Sequence, residues 1–137
     1  MAKDNGIHVL IAEDDLDIAG LLRRSLSSAG YRITLTYDGE EAVRAAHGQK
    51  PDLVILDVMM PQMNGWEVCK TFRARRDFDD VGILMLTAIG PNLNEMTAPL
   101  YGADDHLDKP FLIEELLERL DSLARRFKKG AYAVQVG

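Results

Sequence analysis

Two near-continuous apolar runs in this chain stop abruptly at carboxylates. Ile7-His8-Val9-Leu10-Ile11-Ala12 is followed by Glu13-Asp14-Asp15, and Leu53-Val54-Ile55-Leu56 by Asp57. Runs this short and this apolar read as strands covered on both faces, the condition of a parallel sheet sandwiched between helices. Two further segments share the pattern: Ile83-Leu84-Met85-Leu86 ends in Thr87, and Asp105-His106-Leu107-Asp108 leads into Lys109-Pro110. Each run thus delivers a polar group at its carboxyl end, where ligand sites lie in open α/β sheets.

Strands are expected over residues 7–12, 31–36, 53–57, 81–87 and 105–107, with helical patterns between them. Leu16, Ala19, Leu22, Leu26 and Ala29 recur at helical spacing, and Asp38-Gly-Glu-Glu41 and Asn64-Gly-Trp-Glu67 read as helix starts with capping boxes. The last helix sets Ile113, Leu116, Leu117, Leu120, Leu123, Ala124 and Phe127 on one face, with charges opposite. Its glutamates lead and its arginines trail, as the helix dipole favours. Alternating strand and helix with right-handed crossovers leaves few topologies. The expectation is an α/β, flavodoxin-like, doubly wound five-stranded parallel sheet of order 2-1-3-4-5, with five helices on both faces. In that order the first and third strands are neighbours, which sets Glu13 and Asp14 beside Asp57.

Crowded carboxylates repel unless a proton or a cation intervenes. Carboxylate, carbonyl and water ligands suit magnesium, which takes one or two protein carboxylates together with phosphate oxygens. Lys109 supplies a compact positive charge for a phosphoryl oxygen or for the central carboxylate. Asp15 reads more simply as a helix N-cap. An aspartate after four aliphatic residues, such as Asp57, needs a partner to offset its desolvation.

With 137 residues, 47% of them hydrophobic, the chain suffices for one ordinary domain. Its net charge of -6 argues against direct nucleic-acid binding. Cys69 is the sole cysteine, and neither a signal peptide nor a membrane-length apolar stretch is present, so a cytoplasmic location without membrane contact is expected.

Glu13-Asp14, Asp57, Thr87 and Lys109-Pro110, with Pro61 and Gly65 after the central aspartate and Gly102-Ala103-Asp104-Asp105 before the lysine, resemble the receiver domain of two-component response regulators. The resemblance runs from about Ile7 to Arg126. It is either to a chemotaxis-regulator-like receiver or to the receiver of a winged-helix-class regulator. It implies a receiver over residues 1–126, with 127–137 a tail or the start of a linker. It implies that Asp57 takes a phosphoryl group from a sensor histidine kinase or phosphotransfer protein. Magnesium would be held by Glu13, Asp14, Asp57 and the Met59 carbonyl. Thr87 and Lys109 would meet the phosphoryl group, His106 would occupy the switch position, and the Lys109–Pro110 bond would be cis. The chain would be a self-catalysed phosphoacceptor with autodephosphorylation, not an enzyme in the ordinary sense, and would act on a downstream output domain or protein.

Two residues depart from the family pattern. His106 stands where tyrosine or phenylalanine is usual. Pro99 falls where the helix between the fourth and fifth strands should still be running, so that helix is expected to be short, kinked or shifted. Asp104 and Arg119 match dimer-contact positions of the winged-helix class, which implies a phosphorylation-dependent homodimer. Competing readings are a magnesium-dependent phosphatase, a flavodoxin and a constitutive interaction module. The first lacks a carboxylate at position 59, and the second would meet repulsion between its phosphate and Glu13-Asp14-Asp15.

Overall fold

The computed structural model describes residues 4–87 and 102–133. Five strands, β1 (His8–Ala12), β2 (Arg32–Thr36), β3 (Leu53–Asp57), β4 (Gly82–Thr87) and β5 (Asp105–Asp108), form one sheet of order β2-β1-β3-β4-β5. All pairings are parallel. Among the described residues four α-helices accompany them: α1 (Leu16–Ser28), α2 (Gly39–Gly48), α3 (Gly65–Arg73) and α4 (Ile113–Arg126). The expected helix between the fourth and fifth strands, with Pro91, Pro99 and Met96, lies outside the described residues.

The strand period of two splits each apolar run between two cores. Val9, Ile11, Leu53, Ile55, Leu84 and Leu86 pack against Leu22 and Leu26 of α1 and Leu116, Leu120 and Leu123 of α4. The intervening Leu10, Val54, Leu56, Ile83 and Met85 pack against Ala42 and Ala46 of α2 and Val68, Cys69 and Phe72 of α3. A strand buried on both faces cannot slip by one residue without exchanging its two cores, so the strand ends are fixed in place.

Helix starts are set by side-chain caps. Asp15 Oδ1 accepts from the N–H groups of Asp17 and Ile18 at 3.0 and 3.1 Å, which makes Asp15 the cap of α1. Asp38 accepts from Glu41 N at 2.8 Å. Asn64 and Glu67 form a reciprocal box at α3, with bonds of 2.9 and 3.2 Å. Asn64→Ala should therefore lower stability by about 1 kcal/mol, read as a shift in the urea midpoint at constant slope. An unchanged midpoint would show that the box contributes nothing.

The described residues that follow α4, up to Ala133, lie against the strand-start edge. Gly130 sits at φ +53, a conformation that favours glycine, in a 3-10 turn at Gly130–Ala133. Lys129 Nζ lies 3.5 Å from Asp80 and 3.9 Å from Asp52, and the Tyr132 hydroxyl donates to Asp121 at 2.7 Å.

Candidate functional site

The carboxyl ends of β1, β3, β4 and β5 converge on one crevice. Glu13 follows β1 directly and is fully buried; Asp57 ends β3 at 3% exposure, and Thr87 ends β4 fully buried. Asp14 is exposed at the mouth. Carboxylate oxygens of Glu13, Asp14 and Asp57 lie within 4.8 Å of one another, close enough to share one cation. The Met59 N–H donates to Asp57 Oδ1 at 3.2 Å, which holds that main chain beside the carboxylate. Met59 is itself 62% exposed.

Lys109 is carried in by β5. Its N–H donates to Thr87 O at 2.8 Å, and the Lys109–Pro110 peptide is cis. The ammonium lies 2.8 Å from Glu13 Oε1 and 3.3 Å from Asp57 Oδ2. Lys109 thus pairs with the central carboxylate, one of the two roles its charge suits, and with Glu13 more closely still. Glu13 Oε2 is engaged by the Asp15 N–H at 3.1 Å, whereas Oε1 is buried without a directed hydrogen bond, so ion pairing alone serves it.

Burial pushes the Asp57 carboxyl up to about 8, and the adjacent Glu13 adds to the shift. Lys109 opposes it, and Asp14 adds a smaller push in the same direction as Glu13. Burial also disfavours the Lys109 charge, but Glu13 and Asp57 outweigh it and hold the ammonium above its ordinary pKa. A compact pocket with three carboxylates and one lysine is short of positive charge. A hard divalent cation fits that deficit and the all-oxygen donor set.

Two features behind the pocket hold its backbone in place. Gly65 lies against the main chain of the β3 end: a Cβ there would stand 2.4 Å from Asp57 O and 2.9 Å from Val58 Cα. Arg73, at the end of α3, reaches the segment entering β5 through Gly102 O and Asp104. Gly102 and Asp104 are 29 and 31 residues distant in the chain, so no local spacing signals the contacts.

His106 is half-buried on β5 opposite Met85, away from the pocket's carboxylates in register, and its N–H donates to Asp105 at 2.8 Å. Asp104 and Arg119 are both engaged internally, Asp104 with Arg73 at 2.6 Å and Arg119 with Asp105 at 2.8 Å. A dimer contact through either would have to compete with these pairs. An apolar hollow of about 390 Å³ lined by Ile18, Leu21, Lys109, Pro110 and Phe111 opens beside the pocket.

Residues 9–121 match the response regulator receiver domain family. The chain belongs to that family. Response regulator MprA of Mycobacterium ulcerans (strain Agy99) is 46% identical over 123 residues, covering 89% of this chain and 52% of the relative. MprA of Mycolicibacterium vanbaalenii is 46% identical over 121 residues, 88% of this chain and 51% of that protein. The chain spans about half the length of these curated relatives. Among solved structures, the receiver domain of Francisella response regulator 1452 superposes with a TM-score of 0.83 at 31% identity, covering 89% of this chain and 99% of that one. The receiver domain of a sensor histidine kinase from Pseudomonas aeruginosa superposes with a TM-score of 0.77 at 33% identity, covering 89% and 98%. That receiver holds a magnesium ion coordinated in its active-site cleft.

As a receiver domain of the response regulator family, the chain is a component of two-component signalling, a class of signal transducers with histidine kinases and output partners in general. No helix among the described residues is long and apolar enough to cross a membrane.

Proposed function

We propose that this receiver accepts a phosphoryl group from a phosphohistidine donor on Asp57 and thereby switches a face read by an output partner. The observation that carries it is the placement of a buried aspartate between an acidic pair and a lysine at the ends of adjoining strands. An Asp57 oxygen attacks phosphorus, the P–O bond forms as the P–N bond to the donor imidazole breaks, and the imidazole, already protonated on its other ring nitrogen, leaves with the bonding pair as the neutral ring. Attack needs the carboxylate anion. Lys109 favours that form and is placed to meet a phosphoryl oxygen, while burial and Glu13 oppose it.

Magnesium, held by Glu13, Asp14, Asp57 and the Met59 carbonyl, would supply the missing positive charge and bind a phosphoryl oxygen. Thr87 at the end of β4 is the hydroxyl nearest in topology to the modified residue, and its movement with His106 on the next strand would carry the change outward. A donor protein that reaches Asp57 would also cover the hollow, because Lys109 borders both.

If the pocket holds magnesium, a hundredfold excess over its Kd should stabilise the parent chain by about 2–3 kcal/mol, roughly 5–10 °C in Tm. Asp57→Asn should lose most of that shift. An equal shift in Asp57→Asn, or none in the parent, would remove this pocket as the metal site.

A further inference from the structure

Lys109 depends on a short edge strand. β5 has four residues, lies at the sheet margin, and pairs with β4 from Leu84↔Asp105 to Thr87↔Asp108. An edge strand this short is weakly specified by its own ladder, and a one-residue slip would turn its side chains to the opposite face. Its start is locked by a different device. Asp104 N donates to Ile83 O at 2.9 Å, and Asp104 Oδ2 accepts from Ile83 N at 2.8 Å, so the two residues clasp from both directions. The same oxygen accepts from Arg73 Nη2 at 2.6 Å.

Arg73 uses all three guanidinium nitrogens. Nε donates to Gly102 O at 2.8 Å and Nη1 to Phe78 O at 2.6 Å, in addition to the Asp104 bond. The two side chains are only 18% and 11% exposed, so the pair is largely shielded from solvent. Gly102 adopts φ +86 with its bare Cα against the Arg73 stem, and a Cβ there would lie 2.5 Å from Arg73 Cγ. The chain entering β5 is therefore held at Gly102 and Asp104, while Lys109 at the other end bonds Thr87 O.

We propose that the Arg73–Asp104 pair is a positioning device for Lys109: by locking the register of β5 on β4, it sets where the ammonium stands against Glu13 and Asp57. Neither residue touches the reacting atoms. The two ends of the device are five residues apart, roughly 16 Å of strand. The consequence for phosphoryl transfer rests on the reading of Asp57 as the acceptor; the consequence for Lys109 placement does not.

The test uses Arg73→Met, which keeps the stem against Gly102 and removes the donors. Asp104→Asn, which can still accept from the Ile83 N–H but loses the charge, is the milder companion. Labelling of the full chain by a small acyl phosphate at saturating magnesium should slow about tenfold in Arg73→Met, since a full ångström of misplacement can cost about a hundredfold and a partial loosening of β5 costs less. In a Lys109→Ala background, Arg73→Met should cause no further slowing, because coupled residues fail to add. Asp104→Asn should show a smaller effect with the same dependence on Lys109. A parent rate in Arg73→Met, or equal slowing with and without Lys109, would overturn the proposal and leave the pair a general stabiliser. Amide hydrogen exchange gives a readout independent of phosphorylation. Loss of protection at the Lys109 N–H in Arg73→Met supports the device even if the parent chain takes no phosphoryl group, and retained protection there overturns it.

Discussion

Asp57→Asn is expected to raise the stability of the metal-free chain at pH 8 by about 1–3 kcal/mol, a gain of roughly 5 °C in Tm. The physical reason is that the native pocket disfavours the Asp57 anion. Its carboxyl, raised from 3.8 to about 8 by burial and by Glu13, holds a proton in the folded state over a range where the unfolded chain has lost it. With more protons bound to the native state, the Asp57 contribution to stability falls as pH rises from about 4 to about 8 and is fully lost above that. Asparagine keeps the shape, carries no charge, and leaves Lys109 its nearer partner Glu13 at 2.8 Å. The gain over the parent should therefore grow between pH 5 and pH 8 and then level off. Chemical denaturation of both chains across that range checks it. A difference that is constant with pH, or a loss of stability at pH 8, would show that the pocket does not penalise the anion.

Gly65→Ala should be among the most disruptive single-methyl changes in the chain. The contacts its Cβ would make, at 2.4 Å to Asp57 O and 2.9 Å to Asp57 C and Val58 Cα, are all to backbone, so no flexible side chain can give way. Gly65 N also donates to Val58 O at 3.0 Å, and Asn64 and Glu67 fix the first turn of α3, so the helix start cannot retreat without breaking its own caps. We expect a loss of about 3 kcal/mol, at the upper end for overpacking, with slower labelling of Asp57 because the displaced segment is its own main chain. Gly48→Ala is the matched control. Nothing lies within 4 Å of a Cβ at that position, and its φ is not in the left-handed range, so it should be neutral or stabilise by up to about 1 kcal/mol. Equal effects of the two substitutions would contradict the close-approach argument.

The parts of the fold that were legible in the sequence are those in which one residue type answers one local demand. Val9, Ile11, Val54 and Leu56 are apolar because both faces of their strands are covered, and Asp15, Asp38 and Asn64 stand where the first turns need acceptors. The strand order followed from those elements, and with it the meeting of Glu13, Asp14 and Asp57. Relations between distant positions were not legible. The preference of Lys109 for Glu13 over Asp57 depends on side-chain reach within the folded crevice. The Arg73–Asp104 pair joins the end of α3 to the entrance of β5 without any periodic signal. The contacts of Lys129 were hidden for the same reason: nothing in the local sequence after the last periodic helix signals that Lys129 finds Asp52 and Asp80 across the molecule. His8 interrupts an apolar run, yet it is 6% exposed because its Nε2 pairs with Thr34 Oγ1 at 2.7 Å on the neighbouring strand.

Whether Asp57 is the phosphoacceptor is decided by intact-protein mass after incubation with a small acyl phosphate. A gain of one phosphoryl group is expected in the parent chain, dependent on magnesium and absent in Asp57→Asn. Undiminished labelling of Asp57→Asn, or no labelling of a folded parent chain with magnesium present, would contradict it.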